Sequence, residues 1–379
     1  YTNTVMEQNT IPIGTVSVVA DSYVPYNLRG LVMISDTQAA VFDHQNRCLK
    51  VLNIITGLFT TVAGYCAASD SRIDGIGTNA RFKESYEMVI SQDKTTIYIP
   101  EYKTQHTDTS CNFCSIRKVI VDGWIVSTLG CEPTHHFHAL AINSHDEIFG
   151  ISNTYDGYDH PSRISKCNPV SGDVTILYSG NNNGYCTGVG VGSNYQSGIC
   201  FQSSALFVTP DDRLFVLDAH TVHSANFKTA IIKEVVSESI VFRSYYDGYS
   251  DADNEPYSAL AINNDYVVLV SGYSHGKVVK MHIDTGAFTH IGNYLHWIRP
   301  IALYYGNNKL LAGYNDRKIW SMSLDTGSIE VTVGHCEACA AGTYKDVLGP
   351  QACEPCASCP AGQYRQNCSL TTPGVCVGI

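Results

Sequence analysis

Ala139-Leu-Ala-Ile-Asn143 recurs without change as Ala259-Leu-Ala-Ile-Asn263. Looser copies are Leu31-Val-Met-Ile-Ser35, Glu87-Met-Val-Ile-Ser91, Ala205-Leu-Phe-Val-Thr209 and Ile301-Ala-Leu-Tyr-Tyr305, so the chain carries six copies spaced 42 to 66 residues apart. Self-similarity at such a period marks a repeat architecture, each copy being one supersecondary unit. A second β-rich run follows each copy: Ala40–Asp43, Ile97–Pro100, Ile148–Ile151, Leu214–Leu217, Val267–Val270 and Leu310–Ala312.

A third strand is expected around a lysine in five units, at Lys50, Lys118, Lys166, Lys233 and Lys280, with Ile319-Trp-Ser-Met322 in the sixth. A glycine turn and a fourth strand come next, as in Thr56-Gly-Leu-Phe-Thr60 and Thr285-Gly-Ala-Phe-Thr289. Glycine tolerates the positive φ that tight hairpin turns require. Four short strands per unit, six times over and without helical periodicity, predict an all-β six-bladed β-propeller over residues 21–334.

Asn46-Arg-Cys-Leu-Lys-Val51, Phe59-Thr-Thr-Val-Ala-Gly64 and Asp74-Gly-Ile-Gly77, with Ala80 and Phe82, resemble a repeat of the NHL propeller family. Ser115-Ile-Arg-Lys-Val119 with Val126-Ser-Thr-Leu-Gly130 is a second match, and the resemblance runs over residues 14–334, degenerating in the later units. It implies a binding platform in most cases and a lyase or hydrolase in a minority, so the fold leaves function open.

Fourth-strand patterns number seven for six units. The extra one is Ile13-Gly-Thr-Val-Ser-Val-Val-Ala20, which competes with Gly327–Val333 for the outer position of the last blade. Either one of the two fills the position and the other becomes a fifth strand or a loose end, or the surplus strand pairs with a neighbouring molecule. A sheet edge is a template for strand addition, and seven residues span about 23 Å at roughly 3.3 Å each. The assembly residues on this reading are Ile13, Thr15, Val16, Val18 and Val19 in an N-terminal segment covering 1–20.

Fifteen cysteines in 379 residues indicate disulfides and an exported, extracellular protein. The chain begins at Tyr1 with no leader ahead of it, which reads as a mature or partial product. Cys48 and Cys66 flank the Thr56-Gly57 turn symmetrically, and Cys114 and Cys131 flank Asp122-Gly123, so each pair is expected to face across a hairpin. Cys186 and Cys200 would clip a Gly/Asn-rich loop; Cys111 and Cys167 remain for each other or for other partners. With an odd total, at least one thiol is free or intermolecular, and Cys336 is the first candidate, with Cys111 and Cys167.

Residues 335–379 hold seven cysteines and few large aliphatics, so disulfides must hold this segment together. Its spacing resembles the cysteine-rich modules of tumour-necrosis-factor receptors and ephrin-receptor-like repeats. That resemblance implies the pairs Cys339–Cys353, Cys356–Cys368 and Cys359–Cys376. Cys336/Cys339 with Cys353/Cys356 also fits zinc-ligand spacing.

Other chemistry is sparse. Thr134-His-His-Phe-His138 is either a metal site or a solvated connection. Asp247, Asp251, Asp253 and Glu255 present the alternating oxygens that calcium favours, and otherwise form a solvated acidic loop. No cofactor is expected apart from calcium there. An enzyme would need His138, Asp218, His220 and His275 to converge on the channel. Asn367-Cys-Ser369 is a glycan acceptor sequence, and 24 tyrosines against 12 phenylalanines suit contact surfaces.

A net charge of −11 argues against nucleic acid or anionic membrane as partner. The greasiest run, Tyr266–Val270, is far too short to span a bilayer. The leading expectation is a secreted, non-enzymatic structural protein of an extracellular assembly (filament, matrix or cell-surface appendage), its partners being itself or other extracellular proteins. An adhesive, receptor-like propeller and an NHL-related lyase or hydrolase are the alternatives.

Overall fold

The computed structural model describes residues 19–21, 28–67, 71–85, 87–101, 115–130, 136–153, 163–179, 205–218, 221–226, 231–236, 256–271, 276–295, 298–304, 309–314, 318–324, 329–335, 343–344, 354–360, 363–369 and 372–378. The arrangement is all-β and propeller-like. Among the described residues, consecutive strands pair antiparallel into six sheets in chain order. The first is Leu28–Ser35, Gln38–Asp43, Cys48–Asn53 and Phe59–Ala63; the last is Ile298–Tyr304, Lys309–Tyr314, Lys318–Ser323 and Ile329–His335. The first strand of each sheet lies against the first strand of the next, and Ile298–Tyr304 packs on Leu28–Ser35, which closes the ring.

Each repeat copy read from the sequence falls on or at the end of one of these first strands. In the first, third and fourth sheets they hold unbroken buried runs, Leu31–Met33, Ala139–Ala141 and Leu206–Phe207, which is why they read as continuous apolar stretches and not as alternating ones. Leu31 and Met33 face the last sheet with Leu311 and Ile319, whereas Val32, Ala40 and Phe42 face the second sheet with Ile97, Ile99 and Val119. The same wedge recurs between the second and third sheets around Tyr98, Phe137 and Leu140, and between the third and fourth around Phe149, Ile151 and Leu214. Two glycines make close approach possible. A Cβ on Gly30 would sit 2.7 Å from Met88 Cγ, and one on Gly150 only 2.2 Å from Phe137 Cδ1.

In four of the copies the closing residue organises the turn that follows. Ser91 Oγ accepts the Thr96 amide, Asn143 Oδ1 the His145 and Glu147 amides, Thr209 Oγ1 the Arg213 amide, and Asn263 Oδ1 the Asp265 and Tyr266 amides. Short polar side chains that bond the backbone a few residues on make such turns. The turns also tie the sheets together. Asp146 accepts the Gln92 amide at 2.9 Å, Asp212 accepts the Ser144 amide and hydroxyl at 2.7 Å each, and Arg213 donates to Asp284 and to the Asn264 carbonyl.

Two expectations need correction, and one of the alternatives for the surplus strand is observed. The third strand of the fourth sheet is Thr221–Asn226, and Lys233 lies on the fourth strand, Ile231–Val236, opposite Ser224. The hairpin pairing Asp218 with Thr221 brings the chain back earlier than the lysine pattern suggested. The Thr134–His138 stretch, read as a connection, is in part a strand, since His136–Ile142 includes His138. Val19–Asp21 is a fifth strand on the last sheet, parallel to Ile329–His335 in the register Val19↔Val333, Ala20↔Gly334, Asp21↔His335. Of the two strands competing for the outer position, the C-terminal one therefore holds it.

In the C-terminal segment, Thr343–Tyr344 pairs with Glu354–Pro355, and Gln363–Ser369 with Thr372–Gly378.

Candidate functional site

The outer rim of the ring is where this chain adds strands. The last sheet gains Val19–Asp21, and the second gains Gly75–Ile76, antiparallel to Ile125–Val126. The 71–85 segment that supplies Gly75–Ile76 also reaches the first sheet, where the Gly77 carbonyl accepts the Gly64 amide at 3.1 Å. It therefore straps the outer strands of two neighbouring sheets. Gly64 is at φ +87° with Phe82, the Arg47 carbonyl and Cys48 within about 3 Å of where a Cβ would stand, so only glycine fits this crossing.

A buried charged cluster pins the strap. Arg117, fully buried, donates from Nη1 to the Arg81 carbonyl (2.7 Å) and Glu101 Oε1 (3.1 Å), and from Nη2 to the Ile73 carbonyl and Asp74 Oδ1 (3.0 Å each). Glu101 also accepts from Arg72 Nε at 2.7 Å and from the Lys83 amide at 2.8 Å. Asp74 accepts the Thr128 hydroxyl and amide. The guanidinium lies over Phe82, which meets Phe42 edge-on. Residues that carry the NHL resemblance (Asp74, Ala80, Phe82) thus serve packing and closure. Arg117 and Glu101 went unnoticed as a pair in the sequence; the inward-facing arginine in Ser115-Ile-Arg-Lys-Val119, opposite an Asp-Gly turn, was their signal.

Several apolar side chains remain exposed on this rim: Tyr65 at 60%, Ile73 at 48%, Ile76 at 61% and Ile125 at 41%. Ile76 and Ile125 are directly paired across their two strands.

A second polar cluster lies where the first sheet meets the second. His44 Nδ1 is 2.9 Å from the Ser85 carbonyl, Arg47 pairs with Glu84 at 2.7 Å, and the Ser85 hydroxyl donates to the Glu87 carbonyl. Glu87 Oε2 accepts the Leu140 amide of the third sheet. Burial pushes the Glu87 carboxyl up to about 8, although that amide opposes the shift. Burial also holds the His44 imidazole below its ordinary value. At neutral pH the Glu87 carboxyl, turned to the third sheet, is therefore protonated, and the His44 imidazole at the first sheet is neutral.

The lysines singled out by the sequence make local contacts. Lys50 reaches Thr61 Oγ1, Lys118 the Pro169 carbonyl, and Lys166 Glu147, while Lys280 lies over the Tyr266 ring.

Two disulfides have both partners among the residues whose side chains are described: Cys48–Cys66, as the hairpin geometry required, and Cys359–Cys376, as the receptor-module resemblance implied. Cys167 is disulfide-bonded, which removes it from the candidate free thiols. Cys356 is bonded too, which contradicts the zinc reading, since a disulfide sulfur is no thiolate ligand. Cys368 and Asn367 lie on Gln363–Ser369 and Asp218 ends Leu214–Asp218.

Outside the described residues fall Cys111, Cys114, Cys131, Cys186, Cys200, Cys336, Cys339 and Cys353. So do Ile13, Thr15, Val16 and Val18 of the N-terminal strand, the acidic set Asp247, Asp251, Asp253 and Glu255, and His135, His220 and His275. No helix among the described residues is long and apolar enough to cross a membrane.

No protein-family model matches the chain, and no curated protein matches it in sequence. Among solved structures it is similar to a protein of unknown function from Bacteroides thetaiotaomicron, at 11% identity over 79% of this chain and 70% of that one, with a TM-score of 0.50. It is also similar to regucalcin, a calcium-binding protein from Agrobacterium tumefaciens, at 12% identity over 78% and 84% of the two chains with a TM-score of 0.49. A streptogramin B lyase gives 12% identity over 85% and 87%, also with a TM-score of 0.49. These are likenesses of fold alone.

Proposed function

We propose that the chain is a secreted six-bladed propeller of NHL type with a cysteine-rich module. On this reading it serves as a non-enzymatic structural subunit of an extracellular assembly and self-associates through its N-terminal strand. The observation that carries this is the position of Val19–Asp21, outside a last sheet that already has its four strands and a ring that is already closed. A strand that the ring does not need is free for another task. The bonded cysteines support an oxidising, exported setting.

Deleting residues 1–20 tests the reading by light scattering and circular dichroism. The deletion variant is expected to keep its β signal and lose assembly. Assembly at the unmodified level in that variant would sink it.

A second reading, an adhesive ligand-binding propeller, draws on the exposed Tyr65, Ile73, Ile76 and Ile125. Contiguous exposed apolar surface marks interaction sites. It requires a monomer, and Ile76→Asp would abolish ligand capture while leaving the fold intact.

A further inference from the structure

The N-terminal strand and the last propeller strand duplicate one structural role. Among the described strands, from the second sheet to the fifth the fourth strand hands the chain on to the first strand of the next sheet, whereas after the first sheet Gly75–Ile76 intervenes. Val19–Asp21 hands on to Leu28–Ser35 in just this way, so by connectivity it is the outer strand of the last sheet. Ile329–His335 fills that position, antiparallel to Lys318–Ser323, and Val19–Asp21 runs in the same direction one strand further out.

We infer that the outer edge of Ile329–His335 is the acceptor for the N-terminal strand of a second copy, in the same register of Val19↔Val333, Ala20↔Gly334 and Asp21↔His335. Assembly then proceeds by exchanging a segment that each chain otherwise lays on its own edge. This rests on the self-association proposed above and names the surface that performs it.

Three features carry it. The contacts made in the exchanged state are those already present within one chain, so the exchange needs no new complementarity; this is the low-cost route to oligomers by swapping an identical element. The segment is held here by three residue pairs on an outermost edge, while the sheet behind it is complete without them. Ring closure runs through Ile298–Tyr304 against Leu28–Ser35 and does not pass through residues 19–21. Donation passed from each copy to the next builds a filament when the rotation between copies does not close a ring, whereas reciprocal donation stops at a dimer.

The test is a Val19→Cys/Val333→Cys double variant. Neighbouring strands are about 4.8 Å apart, within the Cα separation a disulfide accepts. The full chain is assembled, its remaining free thiols are alkylated, and it is run on a denaturing gel without reductant. Exchange predicts covalent multimers that collapse to one chain on reduction and are missing from either single-cysteine variant. A ladder matches donation along a filament; a covalent dimer alone upholds the exchange and overturns the filament.

Assembled material in which the new disulfide links residues of the same chain overturns the inference and leaves self-association standing through another surface. Material that never assembles overturns both. Should the double variant not fold, a peptide of residues 11–21 offered to the chain lacking 1–21 gives an independent reading. Saturable binding supports the edge as acceptor, and no binding at millimolar peptide refutes it.

Discussion

Replacing Arg117 by methionine removes three hydrogen bonds to the 71–85 strap and a fourth to Glu101. It leaves Glu101 fully buried with only Arg72 and the Lys83 amide for company. Breaking a buried pair from one side costs about 3–5 kcal/mol. The remaining Arg72 contact places this case near the lower end, about 3 kcal/mol. With an unfolding entropy of about 2.1 cal/mol/K per residue over roughly 310 propeller residues, that is a fall in Tm of about 5 °C.

Arg213→Met is the control, because its pair with Asp284 is largely exposed. Exposed pairs contribute about 0–1 kcal/mol. Calorimetry of the two variants beside the unmodified chain, with hydrogen exchange across residues 71–85, makes the comparison. The expected result is a larger Tm loss for Arg117→Met and faster exchange confined to the strap. Equal losses in the two variants, or an unchanged strap, would refute the reasoning that burial makes this network matter.

Other variants probe the remaining features. Gly150→Ala brings a Cβ into the Phe137 ring and should cost about 1–3 kcal/mol as overpacking; denaturant titration should show Phe137→Leu restoring much of the loss. Replacing Cys48 and Cys66 by alanine opens a loop of sequence separation 18, for which chain entropy suggests a loss of about 3 kcal/mol, read as a lower urea midpoint. Glu87 keeps its proton up to about 8 when folded, against 4.5 ordinarily. Its contribution is therefore full below about pH 4.5 and is lost as pH rises toward 8. Glu87→Gln should gain on the unmodified chain between pH 5 and pH 9 in paired urea titrations, and a gap that stays constant with pH would contradict this.

The ring of sheets was legible because its first strands read as apolar runs that end in a polar residue. Ala139–Asn143 and Ala259–Asn263 do so with the same five residues. Where the apolar pattern is missing, the sequence misplaces a strand. Thr221–Asn226 carries Thr, His, Ser and Asn in a third strand and shows no apolar alternation, so Lys233 drew attention one strand too late. The Cys48–Cys66 bridge was legible from symmetry about a turn. The Arg117–Glu101 cluster was not, since its members lie up to 44 residues apart and meet only once the sheets pack. Seven outer strands could be counted in the sequence, yet which of two held the last position is decided by packing against Lys318–Ser323.

Negative-stain microscopy with light scattering on the unmodified protein tests the central claim most directly. The account predicts regular filaments or large defined assemblies at a mass many times that of one chain. Monodisperse particles near 41.4 kDa would contradict it and leave Val19–Asp21 as a strand that only trims its own sheet.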